Sequence, residues 1–265
     1  MTEFSMKMTL NGVPYTDSQI MRLKYERALH VAHEFKRLGI ELKDADGREY
    51  SETDLNWLPA PELLKLVAKT HEELGYDQTI GLLKDVLADS DRRWHEWNKR
   101  PIEEQGCWLG VTAFDVKGVD LRQLQAKMAV SQNGATPFQI MPEHWGVQGS
   151  ITEGQNILET FGAFGEPTLS YGVGSTDGSV PEYIPFDRHA DYPAILAGET
   201  HLKSTGENIH VGAIHEFKPE ADGFKLISTF FCPKDAPKEV ADGHTIHFAL
   251  EVGELIKLQA GTFTC

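Results

Sequence analysis

Two histidines and two carboxylates carry the sharpest chemical signal in this chain. His247 and Glu251 stand four residues apart in His247-Phe248-Ala249-Leu250-Glu251. On a helix such positions share one face, one turn above the other. An imidazole and a carboxylate placed so can reach the same cation. The spacing also suits an ordinary surface pair, so a metal site needs further ligands. His144 offers one, in Met141-Pro142-Glu143-His144-Trp145-Gly146. There Pro142 fixes the approach to the imidazole and Gly146 permits a tight exit; the bland alternative is a loop histidine beside a packing tryptophan. Glu159 is the other, set in the apolar run Ile157-Leu158-Glu159-Thr160-Phe161-Gly162. A carboxylate pointing inward there is costly unless it is paired, and a cation would pair it. Glu166 is the rival carboxylate nearby, and Glu143 beside His144 reads as exposed, the alternative being a partner that supports the ligand. His144, Glu159, His247 and Glu251 make a mixed nitrogen and oxygen set that fits Zn²⁺ with a position left open. Fe²⁺ or Mn²⁺ fits the same donor types.

These residues must be placed by two kinds of element. Residues 1–105 read as a helical segment. Apolar residues recur at helical spacing from Thr16 to Leu38, with Thr16, Asp17 and Ser18 as N-cap candidates and Gly39 as a stop. Pro61 opens a second helix that ends near Gly75, and further helical patterns follow over 78–87 and 89–97. Trp94, Trp97 and Phe35 are anchors for packing within the chain or for a homodimer surface. Residues 106–265 read as an α+β domain. Trp108–Val116 has strand composition, Asp120–Met128 suits a short helix, and Phe138–Ile140 suits an extended piece. Strands follow over 150–170. The stretch 171–190, rich in Gly, Pro, Ser and Asp, reads as a long loop. More strands come at 201–204, 208–217 and 224–232, the last two joined through Pro219-Glu220-Ala221-Asp222-Gly223. A terminal helix over 245–258 carries the His247 and Glu251 pair, with Ile246, Ala249, Leu250 and Leu255 facing a core.

Composition narrows the class. The 265 residues carry 25 basic and 40 acidic side chains, for a net charge of −15. Such a surface repels phosphate backbones and argues against a nucleic-acid partner. No apolar run reaches the length of a membrane span, about 18 residues or more. The start of the chain lacks the regions of a signal peptide. A cytoplasmic protein is expected. Cys107, Cys232 and Cys265 form no CxxC pair, so a zinc knuckle is not expected, and the thiols read as small packing groups.

Several runs resemble the 2,4-diacetylphloroglucinol hydrolase and phloretin hydrolase family. They are Val116-Lys117-Gly118-Val119-Asp120 with the helix after it, then Pro137-Phe138-Gln139-Ile140 leading into Pro142-Glu143-His144-Trp145-Gly146. Later, Ile214-His215-Glu216-Phe217 leads through Asp222-Gly223-Phe224-Lys225-Leu226 to Ser228-Thr229-Phe230-Phe231, and then to the His247 and Glu251 helix. The resemblance spans about residues 107–258 and lies in pattern rather than close identity. It departs from the family at the helix Leu121–Lys127, which lacks the family's aromatics, and after Glu251, where the terminal helix is short. It implies a Bet v1-like helix-grip fold, a curved antiparallel sheet around a C-terminal helix. It implies zinc held by His144, Glu159, His247 and Glu251. It also implies hydrolysis of the carbon–carbon bond between an acyl group and a phenolic ring, on a small aromatic ketone. Such chemistry needs an acid–base group, for which His215 and His210 are candidates, and Tyr171 is a candidate for substrate contact. Two alternatives stay open. A cupin-like metal dioxygenase or lyase would use His201 and Glu207 with His244 or His247, although Lys203 stands where a ligand is wanted. A helix-grip protein that binds a hydrophobic ligand without catalysis would need none of these residues as a set.

Overall fold

The computed structural model describes residues 3–129, 136–150, 153–162 and 165–263. The first two residues and Cys265 lie outside the described residues, so the expectations resting on them are not addressed. The chain opens with a hairpin, β1 (Ser5–Leu10) and β2 (Val13–Tyr15), turned at Asn11 and Gly12. Both turn residues have positive φ, 48° and 80°, the conformation that Asn-Gly supplies at least cost in a two-residue turn. Helices α1 (Asp17–Arg37), α2 (Glu52–Leu55), α3 (Ala60–Leu82), α4 (Lys84–Trp97) and α5 (Ile102–Gln105) follow. A reciprocal pair of hydrogen bonds between Thr16 and Gln19 caps α1. Gly75 adopts φ 70° and ψ 167° and breaks α3 where the sequence places a stop.

The rest of the chain builds β3 (Cys107–Lys117), α6 (Leu121–Ala129), α7 (Thr136–Ile140), β4 (His144–Ser150), β5 (Gly154–Glu159) and β6 (Thr168–Ser175). After these come β7 (Ala194–Leu202), β8 (Asn208–Glu220), β9 (Gly223–Pro233) and α8 (Lys238–Ala260). All strands join one antiparallel sheet in the order β2-β1-β3-β9-β8-β7-β6-β5-β4.

The expected Bet v1-like helix-grip arrangement is not the architecture. The fold is α+β, but its sheet is a large open one of nine strands, accompanied by eight helices among the described residues, and it does not form a curved grip around the last helix. The N-terminal hairpin adds β1 and β2 beyond β3, which an isolated grip domain would leave at its edge. Helix α8 lies against β1, β3 and β9 on one side and against α1, α6 and α7 on another. Its buried residues run from Ala241 to Ile256 and lie on every side of the helix, the pattern of a helix enclosed rather than laid on a surface. At Gly110 the helix comes so close that a Cβ would lie 2.4 Å from the Ala241 carbonyl oxygen.

Several local expectations also change. The strand expected at 201–204 is the end of β7, which begins at Ala194, and β6 runs on to Ser175 into the stretch expected to be loop from 171. Residues 5–15 form sheet, not helix. Phe138–Ile140 belongs to helix α7, not to an extended piece. Helix α8 starts seven residues earlier than expected, just after Pro237, which suits the first turn of a helix. Trp94, Trp97 and Phe35 pack inside the chain. Trp94 meets Trp97 edge to face at 4.9 Å, and Phe35 meets Trp145 at 5.3 Å.

Candidate metal centre

Three elements distant in sequence bring the ligands together. His144 opens β4, Glu159 closes the neighbouring β5, and the two are paired in register across the strands. His247 stands in the third turn of α8. All three are buried, at 5%, 7% and 0% exposure. The Nε2 atoms of His144 and His247 are 3.1 Å apart. Each lies 3.3 Å from the same Glu159 carboxylate oxygen, Oε2. Donors about 2.0–2.1 Å from a tetrahedral zinc lie about 3.3–3.4 Å from one another. The three measured separations are thus those of one face of a tetrahedral site. Two imidazole lone pairs aimed at each other across a carboxylate oxygen need a proton or a cation between them, and this donor set fits a divalent cation. Glu251, one turn past His247, is 30% exposed at its side chain, with oxygens 3.9 Å from His144 Nε2 and 3.8 Å from His247 Nε2. It flanks the triad in the remaining direction without closing it.

Electrostatics agree with ionised, coupled groups. Burial alone would raise the Glu159 pKa, but His247 and His144 overcome it and hold the carboxyl well below its usual range. Burial alone would lower the His144 pKa, but the hydrogen bond it donates to Glu159 and the charges of Glu251 and Glu159 raise it. The protein matches no family model, and no curated protein matches it at a significant level.

His144 and Glu159 of the triad, with Glu251 and His244, border a cavity of about 140 Å³, while His247 lies behind them. Its lining is mainly apolar, with Val147, Ile157, Phe161, Leu196, Phe230 and Phe248 around the side. Where Gly174, Gly198 and Ala213 lie side by side across β6, β7 and β8, the wall is nearly bare backbone. His215 also lines it. That imidazole is buried, its Nδ1 is 2.9 Å from Ser228 Oγ, and burial lowers its pKa to about 4.

Other sequence candidates separate clearly. His210 is absent from the cavity lining and sits beside Tyr183 instead, its Nδ1 3.3 Å from the phenol oxygen and its backbone at φ 52°. Tyr171 is likewise outside the lining; its ring lies under Lys203. Glu166 is at the surface on Arg93, which leaves Glu159 as the carboxylate of the centre. His201 joins no cluster of metal-ligating side chains among the described residues, and the group of His144, Glu159 and His247 is the one that forms. Glu143 is buried rather than exposed, because it pairs with the Arg27 guanidinium.

Two contributors stand outside the expected zinc set: His244, a candidate only in the cupin-like alternative, and His71, no candidate at all. His244 lies one turn before His247 and stacks on it at 4.4 Å with rings 10° apart. Its Nδ1 accepts from the Gly162 N–H at 3.4 Å, and burial followed by the nearness of His247 pushes its pKa well down. His71 of α3 sits 3.2 Å from the Pro142 carbonyl through Nε2 and stacks on Phe138 at 4.7 Å. A three-residue spacing from His247 was the available signal for His244. His71 offered none, since its partners lie 67 and 71 positions away in sequence.

Proposed function

We propose that this protein is a metal-dependent hydrolase that cleaves the carbon–carbon bond between an acyl group and a phenolic ring. The observation that carries the proposal is the buried group of His144, Glu159 and His247, two of whose members, His144 and Glu159, line an apolar cavity. The resemblance of residues 107–258 to acylphloroglucinol hydrolases supports the same reaction. At about 140 Å³ the cavity is close to the volume that holds one benzene ring, about 150 Å³. A one-ring acylated phenol is therefore the substrate class.

The reaction breaks the aryl–acyl bond. The oxygen of water joins the acyl carbon, giving a carboxylic acid, and the ring carbon takes a proton. A divalent cation, when bound, supplies Lewis acidity toward the acyl carbonyl. His144, Glu159 and His247 would hold it, with Glu251 available as a fourth donor. Zinc suits the tetrahedral separations, while iron(II) and manganese(II) suit the donor types. The apolar wall excludes water and seats the ring. His215 faces the cavity with Nδ1 2.9 Å from Ser228 Oγ, which fixes its ring and makes it the side chain placed for proton transfer, while burial lowers its basicity. His210 lies outside the cavity and is assigned no role in proton transfer.

The test is metal content and product release measured together. Purified wild type should carry near-stoichiometric zinc and liberate a carboxylate from an acylphenol. His247→Ala should lose both. Wild type that contains no divalent metal, or that retains its metal in His247→Ala, refutes the proposal.

A further inference from the structure

One arginine, distant in sequence from every ligand, touches all three segments that carry them. Arg27 lies on α1 and is 1% exposed. Its Nη1 ion-pairs with Glu143, the residue directly before His144. Its Nη2 donates to the Gly162 carbonyl at 3.2 Å, three residues after Glu159. The same Nη2 donates to the Gly243 carbonyl at 2.9 Å. In the helical pattern the Gly243 carbonyl is the acceptor for the His247 N–H. The segments are also tied to each other, since the Thr160 N–H donates to the Glu143 carbonyl at 3.3 Å.

We propose that Arg27 is a positioning residue of the metal centre, holding the His144, Glu159 and His247 segments at their coordinating separations. The proposal rests on the metal site proposed above. A guanidinium is suited to the task, because its planar fork carries five donors in fixed directions and serves several acceptors at once. A lysine ammonium keeps the charge but not the fork. The ligands approach from two strands and a helix, so small shifts of one segment open the edges of the tetrahedral face. The alternative is that Arg27 is a buried ion pair that only stabilises the fold. Helix α1 supplies the control for that alternative. Lys24, one turn earlier and fully buried, pairs with Glu254 of α8 at 2.7 Å, two turns past His247, and through that bond reaches neither the His144 nor the Glu159 segment.

The experiment measures zinc dissociation constants by chelator competition, and the visible spectrum of the cobalt(II)-substituted protein, for the full chain and four variants. Arg27→Met and Glu143→Gln should weaken zinc by about 10–100-fold, as loss of supporting contacts around a metal site does, and should alter the cobalt spectrum. Arg27→Lys should recover part of the affinity, and it serves in place of Arg27→Met if the latter does not fold. Lys24→Met should leave affinity and spectrum unchanged despite its lower stability. Unchanged zinc affinity in Arg27→Met and Arg27→Lys overturns the proposal, and so does equal weakening in Lys24→Met. Absence of zinc binding in wild type sinks the metal site itself, and this proposal with it.

Discussion

Lowering the pH from about 7 to about 5 is expected to cost the metal-free protein roughly 4 kcal/mol of stability through two buried histidines. Burial lowers the His71 pKa to about 3 and the His215 pKa to about 4, against 6.5 for an unperturbed imidazole. Below pH 6.5 the unfolded chain takes up protons that the folded chain refuses, so stability falls with pH. Each group contributes about 1.36 kcal/mol per pH unit below 6.5, hence about 2 kcal/mol by pH 5. His244, lowered by burial, acts with the same sign. His144 does not add to the fall. Its pKa is raised, so its stabilisation is complete below 6.5 and fades only as pH rises through its folded value. The depressed carboxyl of Glu159 loses its contribution only as pH drops below the unfolded value of 4.5. The interval from 6.5 to 5 therefore reports on imidazoles. Urea unfolding in the presence of a chelator at both ends of the interval measures the fall. His215→Gln should shrink it by about 2 kcal/mol. A fall that is the same size in wild type and His215→Gln, or no fall at all, would falsify the argument.

Three further outcomes follow from particular contacts. Zinc present at about 100 times its dissociation constant should stabilise the protein by about 2.7 kcal/mol, seen as a chelator-sensitive melting temperature that Glu159→Gln abolishes. Lys24→Met strands the buried Glu254 carboxylate, a change that costs about 3–5 kcal/mol when nothing compensates. Lys257, 3.1 Å from Glu254, should soften the loss, and Lys24→Met/Glu254→Leu should restore most of the denaturant midpoint. Ala213→Leu fills the bare wall of the cavity, so it should raise KM for a one-ring acylphenol with zinc content unchanged.

Three of the four expected ligands, His144, Glu159 and His247, come together in the fold, with Glu251 beside them, because chemistry marks their sequence context. His247 and Glu251 share a helix face, and Glu159 is a carboxylate in an apolar strand, which asks for a partner. Strands β3, β5, β8 and β9 were legible from their composition and turns, whereas β4, the end of β6 and most of β7 were not. The architecture was not. Asn11-Gly12 is a strong hairpin signal, but the strands beside it are short, and the long helices that follow dominated the reading of the first hundred residues. That hairpin widens the sheet to nine strands. Glu143 was misjudged for a related reason. A carboxylate beside a ligand looks solvated until its partner is known, and Arg27 lies 116 residues away in an amphipathic helix where arginine is ordinary. Long-range pairing leaves no periodicity behind, so His71, Lys24 and Arg27 carried no mark of burial.

The placement of Arg27 and Lys24 sets an order of assembly. Helix α1 leaves the ribosome early, while the acceptors Gly243 and Glu254 arrive only with the last helix. Until then Lys24 lacks Glu254 and Arg27 lacks the Gly243 carbonyl, although Arg27 can already meet Glu143 and Gly162, so the side of α1 that faces α8 is sealed last. Domains form as units when their contacts are local; here the contacts that seal the interior span more than two hundred residues. A nascent or C-terminally truncated chain should therefore stay open along the α1 face, exposed to proteases and chaperones, and close only when residues 238–260 dock.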